Sequence, residues 1–208
     1  MGFYRGPNIV TDGLVLALDA GNTKSYPGSG TTVYDKSGNR YNFELMNGVG
    51  YNTLYNGIFT LDGTNDAIQL TANTALKLTK TIVMWLSTTK TIALTLAGTT
   101  VGNSNDTYVG AYYPGQGFYH SRCGSSITSS VDCNIVTNPA PTYLDGKFHM
   151  WEFKNLDFGS WTDVWNFGGY GSGYNLGGLV GPVFMYNRNL TSAESLQNYN
   201  ATKSRFNL

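Results

Sequence analysis

Apolar residues recur at every second position in seven short runs of this chain, and a period of two predicts β-strands. The runs read GLVLALD, GIFTLDG, AIQL, TIVMWLS, TIALTLAG, FHMWEF and GLVGPVFMYN. TIVMWLS is apolar at every strand position from Ile82 to Leu86, so both faces of its sheet should be covered. In GLVLALD, the period of two predicts that Leu14, Leu16 and Leu18 share one face.

Turn signals separate these runs, among them PGSG, KSGN, MNGVG, DGTND, YPGQG, LDGK and GGYGSG. Glycine adopts positive φ at no steric cost, and Asn and Asp tolerate it. Many short strands at this spacing predict an all-β sandwich or closed β-structure rather than an α/β sheet. We find no internal repeat, so we predict one domain over residues 11–208 behind an N-terminal arm, residues 1–10.

The last segment of the chain predicts a helix that begins with a capping box. The Thr191 hydroxyl should accept a hydrogen bond from the N–H of Glu194, whose carboxylate should accept one from the N–H of Thr191. Ala193, Leu196 and Tyr199 follow at helical spacing, and we expect them to pack against the sheets.

Charge and hydropathy exclude two classes of partner. The 13 basic and 13 acidic residues balance, and the basic residues are scattered, which argues against a nucleic-acid surface. The apolar runs are too short to span a bilayer, and MGFYRGPN has no signal-peptide core, so we predict synthesis in the cytoplasm. Charged residues make up 12% of the chain. A surface with so few charges repels other subunits only weakly, which favours an oligomer or a larger assembly.

Three separated segments resemble concanavalin A-like lectin/glucanase domains of the laminin-G-like kind, especially those in virion proteins of tailed, cyanophage-type phages. GPVFMYNRNLTSAE resembles their ending, in which G-x-V-x-x-Y-N-R leads into L-T/S-x-x-E. GLVLALDAGNTKSYPGSGTTVYDKSGN resembles their first strand and loop. FTLDGTNDAIQL resembles their F-D-G-x-D-D-Y strand, with Ala67 where Tyr is usual. Residues 98–138 match no motif of the family.

The resemblance implies a two-sheet antiparallel jelly-roll sandwich with a short C-terminal capped helix. It also implies a phage virion structural protein, displayed as capsid decoration or as a compact fibre or tail subunit. Its partners would be other virion proteins, and its location would be the virion. The alternative function is a lectin module that binds host polysaccharide during adsorption, and the third is a glucanase.

Enzyme chemistry finds little support among the titratable residues. Retaining glycosidases need two carboxylates about 5 Å apart. The glutamates are Glu44, Glu152 and Glu194; the cap uses Glu194, and no carboxylate lies two residues from Glu152, which we expect to be solvated or hydrogen-bonded. His120 and His149 are isolated in the sequence. We therefore predict a protein that is not an enzyme and has no catalytic residues.

Two aromatic-rich segments suit either a glycan-binding surface or a subunit interface, and the sequence leaves both open. Sugar sites use aromatic rings flanked by amides and hydroxyls, whereas interfaces are enriched in the same aromatic residues. Alternation should point about half of these rings into the core. The candidates are Tyr112, Tyr113, Phe118, Tyr119, His120, Trp161, Trp165, Tyr170 and Tyr174.

Oxygen-rich loops offer weak calcium candidates, namely Asp19 with Asn22 and Asp62 with Asn65 and Asp66. The resemblance adds weight, because many laminin-G and pentraxin relatives hold calcium. Short Asx side chains form the same turns without a metal, and we favour that interpretation and predict no cofactor.

Cys123 and Cys133 are the two cysteines of the chain. They are either reduced thiols or a disulfide that closes a short loop, and both alternatives stay open. Zinc is disfavoured, because no further Cys or His lies nearby at ligand spacing.

Overall fold

Strands alternate with turns along almost the whole described chain. The structure is a computed structural model that describes residues 8–70, 74–90, 97–98, 108–113, 117–121, 123–136, 141–159, 164–168 and 175–208. The strands are β1 (Leu14–Leu18), β2 (Thr32–Val33), β3 (Phe43–Met46), β4 (Gly50–Asn52), β5 (Ile58–Asp62), β6 (Ala67–Leu70), β7 (Thr81–Ser87), β8 (Ala97–Gly98), β9 (Tyr108–Tyr113), β10 (Gly117–Ser121), β11 (Thr128–Val131), β12 (Asn134–Ile135), β13 (Phe148–Lys154), β14 (Trp165–Phe167) and β15 (Gly177–Tyr186). Helix α1 spans Ser192–Thr202.

The strands form two antiparallel sheets. Sheet A has the order β12-β11-β13-β7-β15-β5-β4, with β1 also paired to β15. Sheet B has the order β10-β9-β8-β14-β6-β3-β2. The predicted two-sheet antiparallel sandwich with a C-terminal helix is confirmed. Residues 98–138, which match no family motif, contribute β9 to β12 and the end of β8.

Alternation along the central strands of sheet A sorts the side chains into two apolar clusters. On β7, Met84 and Leu86 point into the core between the sheets, while Val83 and Trp85 pack on the outer face of sheet A. The strands β13 and β15 follow the same rule. The prediction that both faces of this sheet are covered is therefore confirmed.

The C-terminal segment covers the outer face of sheet A. Phe206, in a 3₁₀ turn that follows α1, stacks on Phe148 with ring centroids 4.2 Å apart and on Trp85 at 4.6 Å. Tyr199 of α1 stacks on Trp85 at 5.7 Å, and the Trp85 indole N–H donates to Thr202 Oγ1 at 2.8 Å. Sheet A is consequently the middle layer of three.

Strand β1 departs from its predicted alternation. Its register against β15 shifts between Leu14 and Leu16, which marks a β-bulge. The bulge moves Leu14 to the outer face of sheet A beside Ala17, while Leu16 and Leu18 stay in the core between the sheets. The prediction that all three leucines share one face was wrong for Leu14.

Helix α1 has the predicted cap, but it buries a different face. The Glu194 N–H donates to Thr191 Oγ1 at 3.3 Å, and the Thr191 N–H donates to Glu194 Oε2 at 2.8 Å, which completes the capping box. The predicted packing against the sheet is confirmed for Tyr199, which stacks on Trp85, but was wrong for Ala193, which is exposed, and for Leu196, which is 49% exposed. Ser195 and Asn198 are the buried residues of the helix.

The inner face of α1 is polar because the surface beneath its first turn is polar. Glu152 of β13 is 1% exposed, and its Oε2 accepts from the Ser195 hydroxyl at 2.8 Å. Lys154 Nζ lies 2.9 Å from Glu152 Oε1 and donates to the Leu190 carbonyl at 3.1 Å. A buried carboxylate needs such partners, and these bonds fix the start of the helix on the sheet. The expected hydrogen-bonded role of Glu152 is confirmed.

Asn198 fixes the described start of the chain to the helix. Its Oδ1 accepts from the Val10 N–H at 2.8 Å, and its Nδ2 donates to the Tyr186 hydroxyl at 3.1 Å. The Tyr186 hydroxyl in turn donates to the Val10 carbonyl at 3.0 Å. Residues 8–10 of the predicted arm are therefore attached to the sandwich, and the boundary at residue 10 stays a prediction. Within the described part of the chain, no helix is long and apolar enough to span a membrane.

Candidate functional site

A polar cleft lies at one end of sheet A, where β5 and β7 end and β15 begins. Its volume is about 560 Å³. Its walls come from four separate parts of the chain, brought together by the pairing of β5, β7 and β15. The lining residues are Leu61, Asp62, Gly63, Ser87, Thr88, Thr89, Lys90, Gly146, Gly177, Gly178 and Leu179.

Close backbone packing explains why no side chain fills this space. Gly63 has φ +80°, and a Cβ placed there would lie 3.1 Å from the Gly177 Cα. Only glycine combines that backbone conformation with so close an approach at no steric cost. The two glycines leave main-chain atoms on the cleft surface instead of side chains.

Three hydrogen bonds from two side chains hold the walls together. Lys90 Nζ donates to the Gly63 carbonyl at 3.2 Å and also to the Asn175 carbonyl. The Thr88 hydroxyl donates to the Gly177 carbonyl at 2.6 Å. Burial lowers the pKa of Lys90, and the nearby Asp62 carboxylate partly offsets that effect. The cleft therefore has fixed walls and carries an ammonium group.

The rim adds groups that face solvent. Asp62 and Thr89 are both exposed. Asp62 Oδ1 accepts from the Thr64 N–H at 2.7 Å, which fixes the carboxylate in place. A carboxylate, a hydroxyl, an ammonium group and main-chain atoms suit a ligand that carries many hydroxyl groups.

A second polar surface crosses the outer face of sheet B. Its residues are in direct backbone register across the neighbouring strands β2, β3, β6 and β14. Because their chain neighbours Phe43, Ile68 and Phe167 point into the core, this row lies on the opposite, outer face. The row consists of Thr32, Glu44, Gln69 and Asn166.

Two residues of the row differ in the hydrogen bonds that their side chains make. Glu44 Oε1 accepts from the Thr32 hydroxyl at 2.8 Å. Asn166 is 6% exposed, and its buried Oδ1 has no hydrogen-bond partner in the described part of the chain. A buried, unpaired amide oxygen costs about 1–3 kcal/mol. Thr32, Glu44 and Gln69 are half-buried, so the outer face of sheet B is a second location for a polar ligand, whereas the buried Asn166 Oδ1 does not reach solvent.

Two of the aromatic candidates are internal. Trp165 is 1% exposed and lies in the core, with its ring 4.8 Å from Phe158, so its assignment to a binding surface was wrong. His120 Nδ1 accepts from the Gly110 N–H at 3.1 Å, and its Nε2 lies 3.2 Å from Ser129 Oγ. His120 thus bridges sheet B to sheet A, and burial lowers its pKa to about 4.

The remaining aromatic candidates are described in part or not at all. Tyr112 pairs with Phe118, and Tyr113 with Gly117, so their backbones lie in β9 and β10. Tyr119 also lies in β10. The side chains of these four aromatic residues, and the whole of Trp161, Tyr170 and Tyr174, lie outside the described residues. Their role as a glycan-binding or interface surface stays a prediction.

The first pair of calcium candidates is used by internal contacts. Asp19 Oδ1 lies 2.5 Å from Arg205 Nη1 and accepts from the Gly21 N–H at 2.8 Å. Asn22 Oδ1 accepts from the Lys24 N–H at 3.0 Å. Both side chains therefore have the turn-forming role that we favour over calcium.

The second group of calcium candidates forms one turn. Asp66 Oδ2 accepts from the Asp62 N–H at 2.9 Å, and burial raises the Asp66 pKa. The carbonyl of Asn65 accepts from Asn47 Nδ2 at 2.8 Å. Within the residues that the structure describes, no group of three or more His, Cys, Asp or Glu side chains is placed to hold a metal ion.

The two cysteines lie on opposite sides of sheet A. Cys123 is buried between the sheets, whereas Cys133 packs against the cluster on the outer face of sheet A. Both are free thiols, so the disulfide alternative is not realised. Burial raises the pKa of Cys133 to about 11, which keeps this thiol protonated and weakly nucleophilic.

No protein-family model matches the chain, and no curated protein matches it. Among solved structures, the chain matches Trypanosoma rangeli sialidase in complex with the inhibitor DANA, with 13% identity and a TM-score of 0.56 over 92% of this chain and 33% of the sialidase. It also matches a mutant of that sialidase displaying trans-sialidase activity, with 15% identity and a TM-score of 0.56 over 95% and 34%. A third match is the receptor-binding domain of botulinum neurotoxin C/D mosaic serotype, with 13% identity and a TM-score of 0.49 over 91% and 51%.

The likeness to the sialidases establishes a shared β-sandwich fold. The chain spans about a third of the length of the sialidases. The prediction that the protein is not an enzyme is contradicted, because the first structures it matches are enzymes. At 13–15% identity the likeness shows the fold alone. The matched sialidase comes from a trypanosome, so this likeness lends no support to a phage role.

Proposed function

We propose that the protein is a carbohydrate-binding module and that the cleft at the end of sheet A is its binding site. The observation that carries the proposal is the polar lining of the cleft, in which Asp62, Thr89 and Lys90 surround exposed main-chain atoms. The cleft volume of about 560 Å³ lies within the usual range for small-molecule sites, about 300–1,000 Å³.

The chemistry of the lining matches that of a sugar. A sugar hydroxyl both donates and accepts, so it pairs with a carboxylate such as Asp62 and with an ammonium group such as Lys90. The walls are held by their own hydrogen bonds before any ligand arrives, and this preorganisation reduces the entropy cost of binding.

The shared fold supports the proposal at a coarser level. Solved structures of the matched sialidase contain sialic acid and the inhibitor DANA. Because this chain corresponds to a third of that protein, the likeness supports a lectin-like sandwich and identifies no particular sugar.

The test is glycan-array screening of the purified protein, followed by calorimetry on each sugar that binds. Thr89→Trp should block the cleft without disturbing the core, because Thr89 is exposed. We expect this variant to weaken binding at least tenfold, a change of about 1.4 kcal/mol.

Ser125→Trp is the matched control. Ser125 is exposed in the loop before β11, at the opposite end of the sandwich, since Thr128 pairs with Lys154 and Lys154 with Thr81. The sugar affinity of Ser125→Trp should equal that of the wild type. Wild-type affinity in Thr89→Trp would exclude the cleft as the binding site, and binding to no glycan would refute the proposed function.

The outer face of sheet B is the second candidate location for a ligand, because it carries the half-buried polar side chains of Thr32, Glu44 and Gln69 in one row. Gln69→Ala removes a half-buried member of the polar row beside Asn166. Loss of binding in Gln69→Ala with unchanged binding in Thr89→Trp would place the sugar on sheet B instead of in the cleft.

Display on a phage particle, with virion proteins as partners and host polysaccharide as ligand, remains a prediction from the sequence resemblance. Quantitative mass spectrometry of purified virions tests it directly. Hundreds of copies per particle would support capsid decoration, a few dozen or fewer would support a tail or fibre subunit, and absence would refute a virion role.

A further inference from the structure

His149, near the start of β13, lies between two carboxylates. Its Nδ1 is 2.6 Å from Asp132 Oδ2, and its Nε2 is 3.2 Å from Asp145 Oδ1. Asp132 belongs to the turn between β11 and β12, whereas Asp145 belongs to the loop that precedes β13. The imidazole therefore joins two loops.

Both of these contacts are hydrogen bonds only when the ring is protonated. A neutral imidazole donates from one nitrogen and presents a lone pair at the other, which would face a carboxylate oxygen. An imidazolium donates from both nitrogens to two anionic acceptors, the strong kind of hydrogen bond. The hydrogen bond to Asp132 raises the pKa of His149, and burial opposes that effect in part.

The two carboxylates differ in how firmly they are held. The Asp132 N–H donates to the Met150 carbonyl at 2.9 Å, and Asp132 Oδ1 accepts from the Met150 N–H at 2.9 Å. Asp132 is therefore fixed to β13. Asp145 is exposed, and its carboxylate otherwise bonds to Lys147 of the same loop. Asp132 is thus the anchor, and Asp145 is the part that His149 restrains.

The restrained loop is a wall of the cleft. Gly146, which follows Asp145, lines the cleft. Its N–H donates to the Thr88 carbonyl at 3.1 Å, and its carbonyl accepts from the Ser87 hydroxyl at 2.7 Å. A change in the position of Asp145 therefore acts on the cleft wall through one peptide unit.

We propose that protonated His149 braces the Asp145–Gly146 wall and that ligand binding in the cleft is regulated by the protonation of this residue. This inference rests on the proposed function, because the regulated site is the carbohydrate cleft. Protonated His149 holds the wall against the anchor at Asp132. Loss of the proton leaves one imidazole nitrogen without a hydrogen to donate and removes this restraint on Asp145, so that only the hydrogen bonds of Gly146 at the end of β7 still hold the wall.

Other side chains lie against His149 or one of its partner carboxylates. The Lys147 ammonium lies 3.5 Å from Asp145 Oδ2, and hydrogen bonding to the Lys147 N–H lowers the pKa of Asp145, so this carboxylate stays ionised near neutral pH. The Tyr143 ring meets the imidazole edge-on at 5.3 Å, and β7 places the apolar Leu86 opposite His149.

The direction of the pH dependence follows from the raised pKa of His149. An unfolded or unrestrained histidine has a pKa of about 6.5, so the brace is fully present below about pH 6.5. It is lost as the pH rises through the pKa of His149 in the folded protein. Binding should be strongest on the acidic side, and Kd should rise by up to about tenfold per pH unit above that pKa.

The test uses NMR on the 208-residue chain, which contains two histidines, His120 and His149. The imidazole nitrogens of His149 should titrate above pH 6.5, and the amide signal of Gly146 should follow the same curve. His120 serves as an internal control, because its pKa of about 4 keeps it neutral over this range. Kd for an array-identified sugar is then measured from pH 5.5 to 9.

Two variants separate the brace from general structural effects. In His149→Gln, both the Gly146 titration and the pH dependence of Kd should disappear. Asp145→Asn keeps the acceptor for the Lys147 N–H but removes the charge, so it should lower the pKa of His149 and uncouple Gly146. This second variant changes an exposed residue and keeps the test valid if His149→Gln does not fold.

The outcomes distinguish failure of the brace from failure of the proposed function. If the amide signal of Gly146 does not change as His149 titrates, the proposed brace is wrong whether or not a sugar binds. If Gly146 follows the titration while Kd stays constant with pH, regulation of binding is wrong. If no sugar binds but Gly146 follows the titration, the proposed function fails and the brace on the wall is supported.

Discussion

Replacing Asn198 by Ala should destabilise the protein far more than replacing Leu196 by Ala, although Leu196 is the apolar residue. Asn198 is 0% exposed and is the acceptor for the Val10 N–H. In Asn198→Ala, a buried N–H loses its partner at a cost of about 1–3 kcal/mol, and the lost bond to Tyr186 adds about 1 kcal/mol. The expected total is about 3 kcal/mol, which lowers Tm by about 6–12 °C in a chain of this length.

Leu196→Ala, two residues away in the same helix, is the matched comparison. Leu196 is 49% exposed, and Ala is the best helix former, so the cost should stay below about 1 kcal/mol. Urea unfolding followed by tryptophan fluorescence and far-UV circular dichroism measures both free energies of unfolding. A larger loss in Leu196→Ala than in Asn198→Ala would show that α1 buries its apolar side, and would refute the polar attachment of this helix.

Three further predictions concern titratable groups. The bidentate hydrogen bonds from Arg188 lower the pKa of Glu194 to about 2. The ionised Glu194 carboxylate therefore stabilises the folded protein above about pH 4.5, and this contribution is lost as the pH falls towards 2. In urea titrations, Glu194→Gln should be less stable than the wild type at pH 7 and equal to it near pH 2. Neutral, buried His120 should make the protein less stable as the pH falls from about 6.5 to 4, and a calorimetric Tm that is flat across this range in the wild type but steep in His120→Gln would contradict this. Cys123 and Cys133 should both react with a thiol reagent after unfolding without reductant; a single disulfide and no reactive thiol would contradict the free-thiol state.

The strands that alternation predicted correctly are those with two covered faces. β7, β13 and β15 lie in the middle of sheet A, and each presents one apolar set to the core and another to the C-terminal segment. A seven-residue strand such as β7 is long enough for a period of two to be visible in the sequence. By contrast, β2 and β12 have two residues each, and no periodicity can be read from two residues.

The errors have local physical causes. The bulge in β1 changes the face of Leu14, and no glycine or proline within Leu14–Leu18 signals it. Ser195 and Asn198 are buried because Glu152 and Tyr186 need partners. Ser195 is 43 residues from Glu152 in the sequence, and Asn198 is 12 residues from Tyr186. Helical spacing of apolar residues carries no information about a polar surface beneath the helix.

The candidate site could not be predicted from the sequence either, because it depends on the order of the strands in the sheet. Asp62, Thr89, Gly146 and Gly177 form one cleft because β5, β7 and β15 are neighbours in sheet A, and strand order cannot be read from a single chain. The turn sequences DGTND and LDGK were recognisable as turns. Their position on the same wall, and the pairing of His149 with two carboxylates, required the pairing of the strands.

The pairing of β1 with β15 also has a consequence for biosynthesis. Among the described strands, β1 pairs only with β15, and Leu14 aligns with Tyr186. On the ribosome, the hydrophobic β1 must therefore wait for about 170 further residues before its partner exists. At translation rates of about 5–20 residues per second, this delay lasts about 10–35 seconds. Contacts of such long range also make folding slow after release, so the nascent chain exposes an unpaired strand edge to its neighbours and to chaperones throughout this interval.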